Sequence, residues 1–234
     1  MTSIDTIINR QLLKWEHQRR EADEEKKEKP NPPPIITISR ETGSRGSYFG
    51  SRLAMKLGYQ RLHREVIDNI CKSSGYRKRI IESLDERFRG NLEIMVESFF
   101  TGQSVDYSDY HRYMYQVVLS VSELGGVVLM GRGGNFILGP ERGFHIRFIC
   151  DRERRIENLI KYKEISEEDA IAAIDESDNN RREFVRKLFH TEINTPHHYD
   201  LVLNSTYIDV EELVDTAATA YKGKMDKLLH REND

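Results

Sequence analysis

The stretch that most constrains the fold is IITISRETGSRGSYFGSRLAMKLG, which runs from Ile35 to Gly58. It opens with a short apolar and β-branched run, passes through a turn rich in glycine, serine and arginine, and continues with apolar residues at helical spacing. A strand that leads into a helix is typical of parallel α/β sheets, in which helices cross over between strands. The pattern therefore predicts an α/β domain that begins near Ile35.

The rest of the chain repeats this alternation of short β-rich runs and helical segments. Strands are predicted at Ile35–Ser39, Tyr59–Leu62, Val127–Met130, Ile146–Cys150 and Leu201–Asn204. Helices are predicted at Tyr48–Leu57, Glu65–Ser73, Asn91–Phe100, Asp109–Leu124, Arg152–Lys163, Glu167–Phe189 and Val210–Leu229. Between Gly75 and Ser108 the periodicity is weak, and the segment TGQSVDYSDY predicts a mobile connection.

An N-terminal arm precedes the domain. Behind Ser3 the chain has a charged run and an apolar stripe at helical spacing, made of Ile4, Ile8, Leu12 and Trp15. The segment PNPPP ends this helix, because proline lacks an amide and restrains its predecessor. We expect residues 1–34 to form a helix and a linker, and residues 35–234 to form the domain. The stripe packs either on the chain's own domain or on a partner, which leaves a homo-oligomer through this helix open.

The composition indicates the class of protein. A chain of 234 residues with 38% apolar content can bury the core of one ordinary domain. No apolar run approaches membrane-spanning length and no signal peptide is evident, so we expect a cytoplasmic protein with no membrane partner. Cys71 and Cys150 lie far apart, which argues against a disulfide framework and a zinc site. The net charge of −3 lacks the basic excess of a nucleic-acid binder, so no nucleic acid partner is expected.

The turn after the first strand has the setting of a phosphate-binding loop. Amides at a helix N-terminus point outward, and glycines let an anion approach them closely. In the common loop G-x-x-x-x-G-K-[ST], Ser47 takes the hydroxyl position and Gly46 the lysine position. Arg40 and Arg45 then stand at the two framing glycines. These residues alone leave two interpretations open, a phosphate site with an altered loop and a plain connection between strand and helix.

A second turn of this kind, GRGGN at residues 131–135, follows the apolar run VVLM. In an open parallel sheet, ligands gather beyond the carboxyl ends of the strands, so both turns are expected to face one crevice. Arginine suits phosphate because its planar guanidinium can donate two parallel hydrogen bonds to phosphate oxygens. Arg132, which stands between two glycines, is therefore a candidate for phosphate binding.

The segment ISEEDAIAAIDESDNNRREFVRKLF contains a third feature. Ser166 and Asp169 resemble a capping box, and an apolar stripe follows at Ile171, Ile174, Val185 and Leu188. Asp178 and Arg181 fall within the same stripe, either as an i,i+3 ion pair or as groups that face a ligand. With the arginines at positions 152, 154, 155 and 182, this region predicts a basic lid over phosphates.

Together these features resemble the cytidylate kinase-like family of the P-loop nucleoside monophosphate kinases. The opening stretch resembles that family's first strand, phosphate loop and helix, and VVLMGRGGNFIL resembles its glycine-arginine turn. RFICDRERRIENLI, SDNNRREFVRKLF and YDLVLNSTYIDVEELVD follow its lid and closing elements. The resemblance covers Ile35 to Lys222. It implies an α/β fold with a three-layer parallel sheet, flanking helices and a helical lid, to which this chain adds its N-terminal helix.

The resemblance also implies an activity. Members of this family transfer the γ-phosphoryl group of ATP to a nucleoside monophosphate such as CMP, with Mg²⁺ bridging the phosphates. Carried over by position, the residues that would cradle the ATP phosphates are those of the loop, Gly43, Ser44, Arg45, Gly46 and Ser47.

The remaining roles follow from the same resemblance. Arg132 would hold the acceptor, Arg155 and Arg181 would close from the lid, and Asp178 would orient them. Ser47 would be a magnesium ligand.

Three positions depart from the family's pattern. The loop lysine of cytidylate kinases is Gly46 here, the acid before the second turn is Met130, and the acid after the second strand is His63. The first departure bears on phosphate binding and catalysis, and the third weakens the acceptor site.

Other residues near the loop are candidates to compensate. Arg40 or Arg45 would replace the charge of the lysine, and Glu41 is the nearest spare carboxylate for a metal. The departures keep an alternative open, in which the protein is a catalytically silent nucleotide-binding or scaffolding protein on the same fold.

Overall fold

The computed structural model describes residues 3–25, 34–100 and 109–231. The strands within these residues are β1 (Ile36–Arg40), β2 (Gln60–Leu62), β3 (Val127–Met130), β4 (Phe144–Ile149) and β5 (Leu201–Asn204). They form one sheet in the order β2-β3-β1-β4-β5. Strand β1 pairs in parallel with β3 and β4, and β4 pairs in parallel with β5. The predicted α/β fold with a parallel sheet and flanking helices is confirmed.

The helices of the described residues are α1 (Ile4–Glu25), α2 (Gly46–Leu57), α3 (Arg64–Lys72), α4 (Ser74–Glu82), α5 (Glu86–Phe100), α6 (Asp109–Leu124), α7 (Gly134–Leu138), α8 (Arg152–Lys163), α9 (Glu167–Phe189) and α10 (Val210–Arg231). The predicted bounds of α6, α8 and α9 agree with the structure, whereas α2 begins two residues earlier than predicted. The sequence did not predict α4 or α7. Helix α4 buries only Ile80 among its apolar residues, and α7 has five residues, so neither shows a helical period. Residues 101–108 of the expected mobile connection lie outside the described residues.

The chain divides into two compact units, and the first contains the described parts of residues 1–35 and 62–127. In this unit α1 packs against α3 and α4. Its apolar stripe is buried at Ile8, Leu12 and Trp15, and the indole N–H of Trp15 donates to the carbonyl oxygen of Gly125 at 3.2 Å. Ser3 caps the helix, since its Oγ accepts from the amide of Thr6. The stripe therefore packs on the chain itself.

The second unit contains the described parts of residues 36–61 and 128–234. Helices α2 and α10 cover one face of its sheet, and Phe49 of α2 stacks on Phe148 of β4 with ring centroids 4.5 Å apart. Since β1, β3 and β4 are parallel, the turns after them lie at one edge of the sheet. This edge carries the candidate site.

None of the described helices combines the length and the apolar content that crossing a bilayer requires.

Candidate functional site

The loop between β1 and α2 is tightly folded. Gly43 has a φ of +81°, and a β-carbon there would lie 2.5 Å from the backbone oxygen of Arg155. Arg45 takes the left-handed conformation, with φ 64°, directly before the helix begins at Gly46. The buried Ser44 hydroxyl donates to the carbonyl of Glu41 at 2.8 Å and accepts from the amide of Gly46 at 3.2 Å. The loop is therefore fixed by its own hydrogen bonds and by α8.

Helix α8 holds the loop through Arg155, whose side chain is almost fully buried. Its Nε donates to the carbonyl oxygen of Thr42 at 2.7 Å, and its Nη2 donates to Asp178 of α9 at 2.6 Å. One turn later Asn158 donates to the carbonyl of Gly43 at 2.9 Å. These bonds join the loop to α8 and α8 to α9. The guanidinium of Arg155 is desolvated and donates on two sides, which makes its bonds strong.

Glu41 also belongs to this buried network. Its Oε2 accepts the amide of Cys150 at 3.0 Å and lies 3.6 Å from Arg155, while its Oε1 lies 3.4 Å from Nη2 of Arg147. Both oxygens thus face donors of the protein. No cluster of three or more metal-ligating side chains occurs within the described residues. The metal role expected for Glu41 stays a prediction, and its surroundings favour a structural role.

The turn after β3 has an unusual backbone. Gly131, Arg132 and Gly133 all have positive φ values, of 82°, 57° and 65°. The amide of Gly131 donates to Ile38 of β1 at 3.0 Å, and a β-carbon on Gly133 would lie 2.3 Å from the ring of Phe189. The turn is therefore held against β1 and the end of α9. The turn lies at the same edge of the sheet as the loop between β1 and α2. The role of Arg132 in phosphate binding stays a prediction.

Asp178 and Arg181 lie on α9, as expected, and have separate partners. Asp178 accepts from Arg155, and Nη1 of Arg181 donates to the carbonyl oxygen of Arg40 at 2.9 Å. One residue before Asp178, Ser177 lies 2.7 Å from the hydroxyl of Thr42. This face of α9 therefore contacts the end of β1 and the loop, which is the position expected of a lid.

A cavity of about 220 Å³ opens beside these contacts. Arginines predominate in its lining, which consists of Arg40, Arg147, Arg152, Arg181, Arg182, Glu41, Asp175, Asp178, Ile193 and Asn194. Arg152 and Asp175 form a two-bond pair at 2.7 and 3.0 Å, and these hydrogen bonds lower the pKa of Asp175. With five arginines and three carboxylates, the cavity suits an anion.

Arg147 is the residue of this cavity that the sequence analysis missed. It lies in the middle of β4, is 5% exposed, and donates to Ser39 at 3.0 Å and to Asn194 at 2.8 Å. Its Nε is buried without a hydrogen-bond partner among the described residues. The signal was an arginine inside the predicted strand IRFIC, whose other residues are apolar. A charged residue is seldom buried in such a strand without a partner.

A second cavity, of about 610 Å³, lies on the other side of α8. Its lining comes from the loop, from α8 and from the segment after β5, and includes Arg45, Arg154, Tyr162, Ser205 and Tyr207. The guanidinium of Arg45 lies 4.9 Å from the ring centroid of Tyr48 and 5.0 Å from that of Tyr162. Tyr207 is 98% exposed. The sequence analysis missed this cavity, although it follows the carboxyl end of a predicted strand.

Comparison with known proteins gives three findings of limited likeness. A stretch of 100 residues, 42% of this chain, is 32% identical to a uronate isomerase from Corynebacterium glutamicum, and the chain spans 19% of the length of that relative. The fold is similar to that of an uncharacterized protein from Eubacterium ventriosum, with a TM-score of 0.63 and 17% identity over 81% of this chain and 98% of the other. A gluconokinase from Sinorhizobium meliloti is similar at a TM-score of 0.42 and 10% identity, over 86% of this chain and 99% of its own.

The family itself is decided by a longer match. The model of the cytidylate kinase-like family matches residues 35–207, which include both glycine turns, α8, α9 and all five described strands. This match covers well over half of the chain, and the protein therefore belongs to the cytidylate kinase-like family.

Proposed function

We propose that this protein is a phosphotransferase of the nucleoside monophosphate kinase type, which moves the γ-phosphoryl group of ATP to CMP or a related acceptor. The observation that carries the proposal is the loop between β1 and α2, which is held by the buried Arg155 beside the glycine turn that follows β3. Both lie at the carboxyl ends of neighbouring parallel strands, where α/β folds bind ligands. Membership of the cytidylate kinase-like family supports the same reaction.

In this reaction an oxygen of the acceptor phosphate attacks the γ-phosphorus of ATP, and the bond from that phosphorus to the β,γ-bridging oxygen breaks. The products are ADP and the acceptor diphosphate. The attacking oxygen is already ionised, so the step asks for no base. The protein contributes by aligning the phosphates, offsetting their charge and excluding water. A cavity lined by arginines suits these tasks.

We propose that the loop from Gly43 to Ser47 faces the ATP phosphates and that Arg132 and Arg181 reach the transferred or acceptor phosphate. Arg155 and Asp178 act differently, because they are bonded to Thr42 and to each other. They position the loop and the lid.

The larger cavity is proposed as the place of the ATP base and ribose. It adjoins Arg45 of the loop, and the rings of Tyr162 and Tyr207 line it. Aromatic faces and arginine planes stack on nucleobases. Base and phosphates would then lie on the two sides of the loop residue Arg45.

Mg²⁺ would enter with ATP and offset the charge of its phosphates. Ser47, an exposed residue in the first turn of α2, has a hydroxyl that fits this ion at the position where phosphate loops carry serine or threonine. Glu41 fits less well, since its oxygens already face Cys150, Arg147 and Arg155.

The proposal is tested by a radiolabelled phosphoryl-transfer assay with ATP, Mg²⁺ and a panel of monophosphates. We expect transfer to at least one pyrimidine monophosphate. In parallel, calorimetry with ATP should give binding that Arg45→Glu weakens at least about tenfold, because the change places a carboxylate beside phosphates. Arg142→Glu makes the same charge change at an exposed residue outside both cavities and should bind ATP as the parent does.

The outcomes separate the two candidate functions. Binding of ATP without transfer to any acceptor would support the catalytically silent protein that Gly46 at the lysine position suggests. Absence of nucleotide binding at millimolar concentration would refute the kinase and the silent nucleotide-binding protein, and would leave a scaffolding protein on the same fold.

A further inference from the structure

The space that a lysine side chain would need at position 46 is filled by Arg40. A β-carbon on Gly46 would lie 2.6 Å from Cβ and 3.0 Å from Cγ of Arg40. The first distance is shorter than real contacts between carbon atoms and the second is tighter than most of them. Cβ of Arg40 is fixed to the end of β1, so it cannot turn away as the far end of a side chain could. The first side-chain atoms of Arg40 therefore lie almost where the first side-chain atoms of a lysine at position 46 would lie.

The far end of Arg40 reaches the second turn. Its Nη1 lies 2.7 Å from the point where a β-carbon of Gly131 would stand. The side chain thus runs from the first residue of α2, across the end of β1, to the end of β3. Arg40 also lines the 220 Å³ cavity, and its carbonyl oxygen accepts from Arg181 of the lid.

The neighbouring arginines have contacts of their own. Arg147 and Arg155 lie against Glu41, and Arg155 also donates to Asp178, so carboxylates offset their charge. The guanidinium of Arg45 lies between Tyr48 and Tyr162, on the side of the larger cavity. Arg40 is the arginine whose side chain connects the two glycine turns.

We propose that Arg40 supplies to the transferred phosphoryl group the positive charge that a lysine supplies in a complete G-x-x-x-x-G-K-[ST] loop. The residue types at positions 40 and 46 are then exchanged relative to that loop, with the cation on the strand and the glycine on the helix. As the bond from the γ-phosphorus to the bridging oxygen breaks and the bond to the acceptor oxygen forms, negative charge develops on the bridging and equatorial oxygens. Arg40 donates hydrogen bonds to these oxygens and keeps its own protons, since arginine stays charged when it is desolvated. This proposal rests on the proposed function.

The experiment removes the charge of Arg40 and then restores glycine at position 40 and lysine at position 46, as in the complete loop. Arg40→Met keeps an unbranched apolar stem against Gly46 and removes the charge, so turnover should fall about 100-fold or more. Arg40→Gly should behave in the same way. Gly46→Lys alone should not support turnover, because Arg40 occupies the space that the lysine side chain needs. The double variant Arg40→Gly/Gly46→Lys restores glycine and lysine at the positions of the complete loop and should recover at least tenfold over Arg40→Gly. Arg142→Met is the matched control and should turn over as the parent does.

A second readout separates this proposal from the proposed function. Affinity for ADP, Mg²⁺ and aluminium fluoride, which together mimic the transferred phosphoryl group, should fall in Arg40→Met by at least tenfold, while affinity for ADP alone stays within about threefold. Circular dichroism melts show which variants fold. If the parent transfers phosphate and the turnover of Arg40→Met is within threefold of the parent's, the role proposed for Arg40 is wrong and the proposed kinase function is retained. If the double variant folds without recovery, the exchange is wrong. If the parent binds no nucleotide, the proposed function fails first, and the role of Arg40 fails with it.

Discussion

Gly43→Ala tests how the loop between β1 and α2 is held. The added β-carbon would lie 2.5 Å from the backbone oxygen and 2.9 Å from Cβ of Arg155, and neither atom is at the end of a flexible side chain. The loop must therefore move away from α8 by roughly 0.5 Å or more to restore ordinary contact distances. We expect this movement to weaken the two hydrogen bonds that join α8 to the loop.

The magnitude follows from those two bonds. The bond from Nε of Arg155 to Thr42, at 2.7 Å, has a charged donor and contributes about 1.5–3 kcal/mol. The bond from Asn158 to the carbonyl of Gly43, at 2.9 Å, is neutral and contributes about 0.5–1.5 kcal/mol. Losing both lowers the free energy of unfolding by about 2–4.5 kcal/mol. For a chain of this size, that corresponds to a fall in Tm of roughly 4 °C or more.

Gly58→Ala is the matched control. Gly58 has a φ of +70°, close to that of Gly43, but a β-carbon there would meet nothing within 4 Å. Both variants therefore share the cost of placing alanine in the left-handed region, and their difference isolates the contact with α8. Urea denaturation followed by circular dichroism measures this difference. A value below about 1 kcal/mol would refute the view that α8 holds the loop.

Three further predictions concern neighbouring groups. Ser44→Ala should lower the free energy of unfolding by about 1–3 kcal/mol, because it leaves the carbonyl of Glu41 and the amide of Gly46 without their partner. Ser47→Ala changes an exposed residue, so it should leave urea denaturation unchanged and lower the Mg²⁺ dependence of turnover. Asp178→Asn should cost about 1.5–3 kcal/mol in the same assay, since it removes the closer of the two carboxylates beside the buried Arg155 and leaves Glu41 3.6 Å away. Parental stability would contradict this. Burial lowers the pKa of His145, so its contribution to stability is complete above the unfolded pKa of about 6.5 and is lost as the pH falls below it. His145→Gln should therefore flatten the stability profile below about pH 6.5. An unchanged profile would place the titration at another group.

Local patterns were enough to predict much of the fold. The bounds of β3 and β5 coincide with the apolar runs VVLM and LVLN, and α9 begins directly after Ser166, whose hydroxyl accepts the amide of Asp169 as the capping box predicts. Strand, cap and amphipathic helix are each decided by residues within a few positions of one another. The same is true of the glycine turns, whose position after a strand was the reason to expect a site there.

The partners of the polar residues were not predictable in this way. Asp178 and Arg181 are three residues apart and suggested a pair, yet Asp178 accepts from Arg155, 23 residues earlier, and Arg181 donates to Arg40, 141 residues earlier. Spacing along one helix shows only that two side chains share a face. Which groups from other elements reach that face depends on how the sheet brings the strand ends together.

The sequence by itself determined the α/β class, the places of both glycine turns and the absence of a lysine at position 46. Only the tertiary structure decided what that absence means. Gly46 has no room for a side chain because Arg40, six residues away on the strand, passes through the same space towards Gly131, which the pairing of β1 with β3 brings alongside. A short motif records the residue at each position, but the volume around that residue is set by side chains that arrive from other elements, and close packing lets only one of them occupy it.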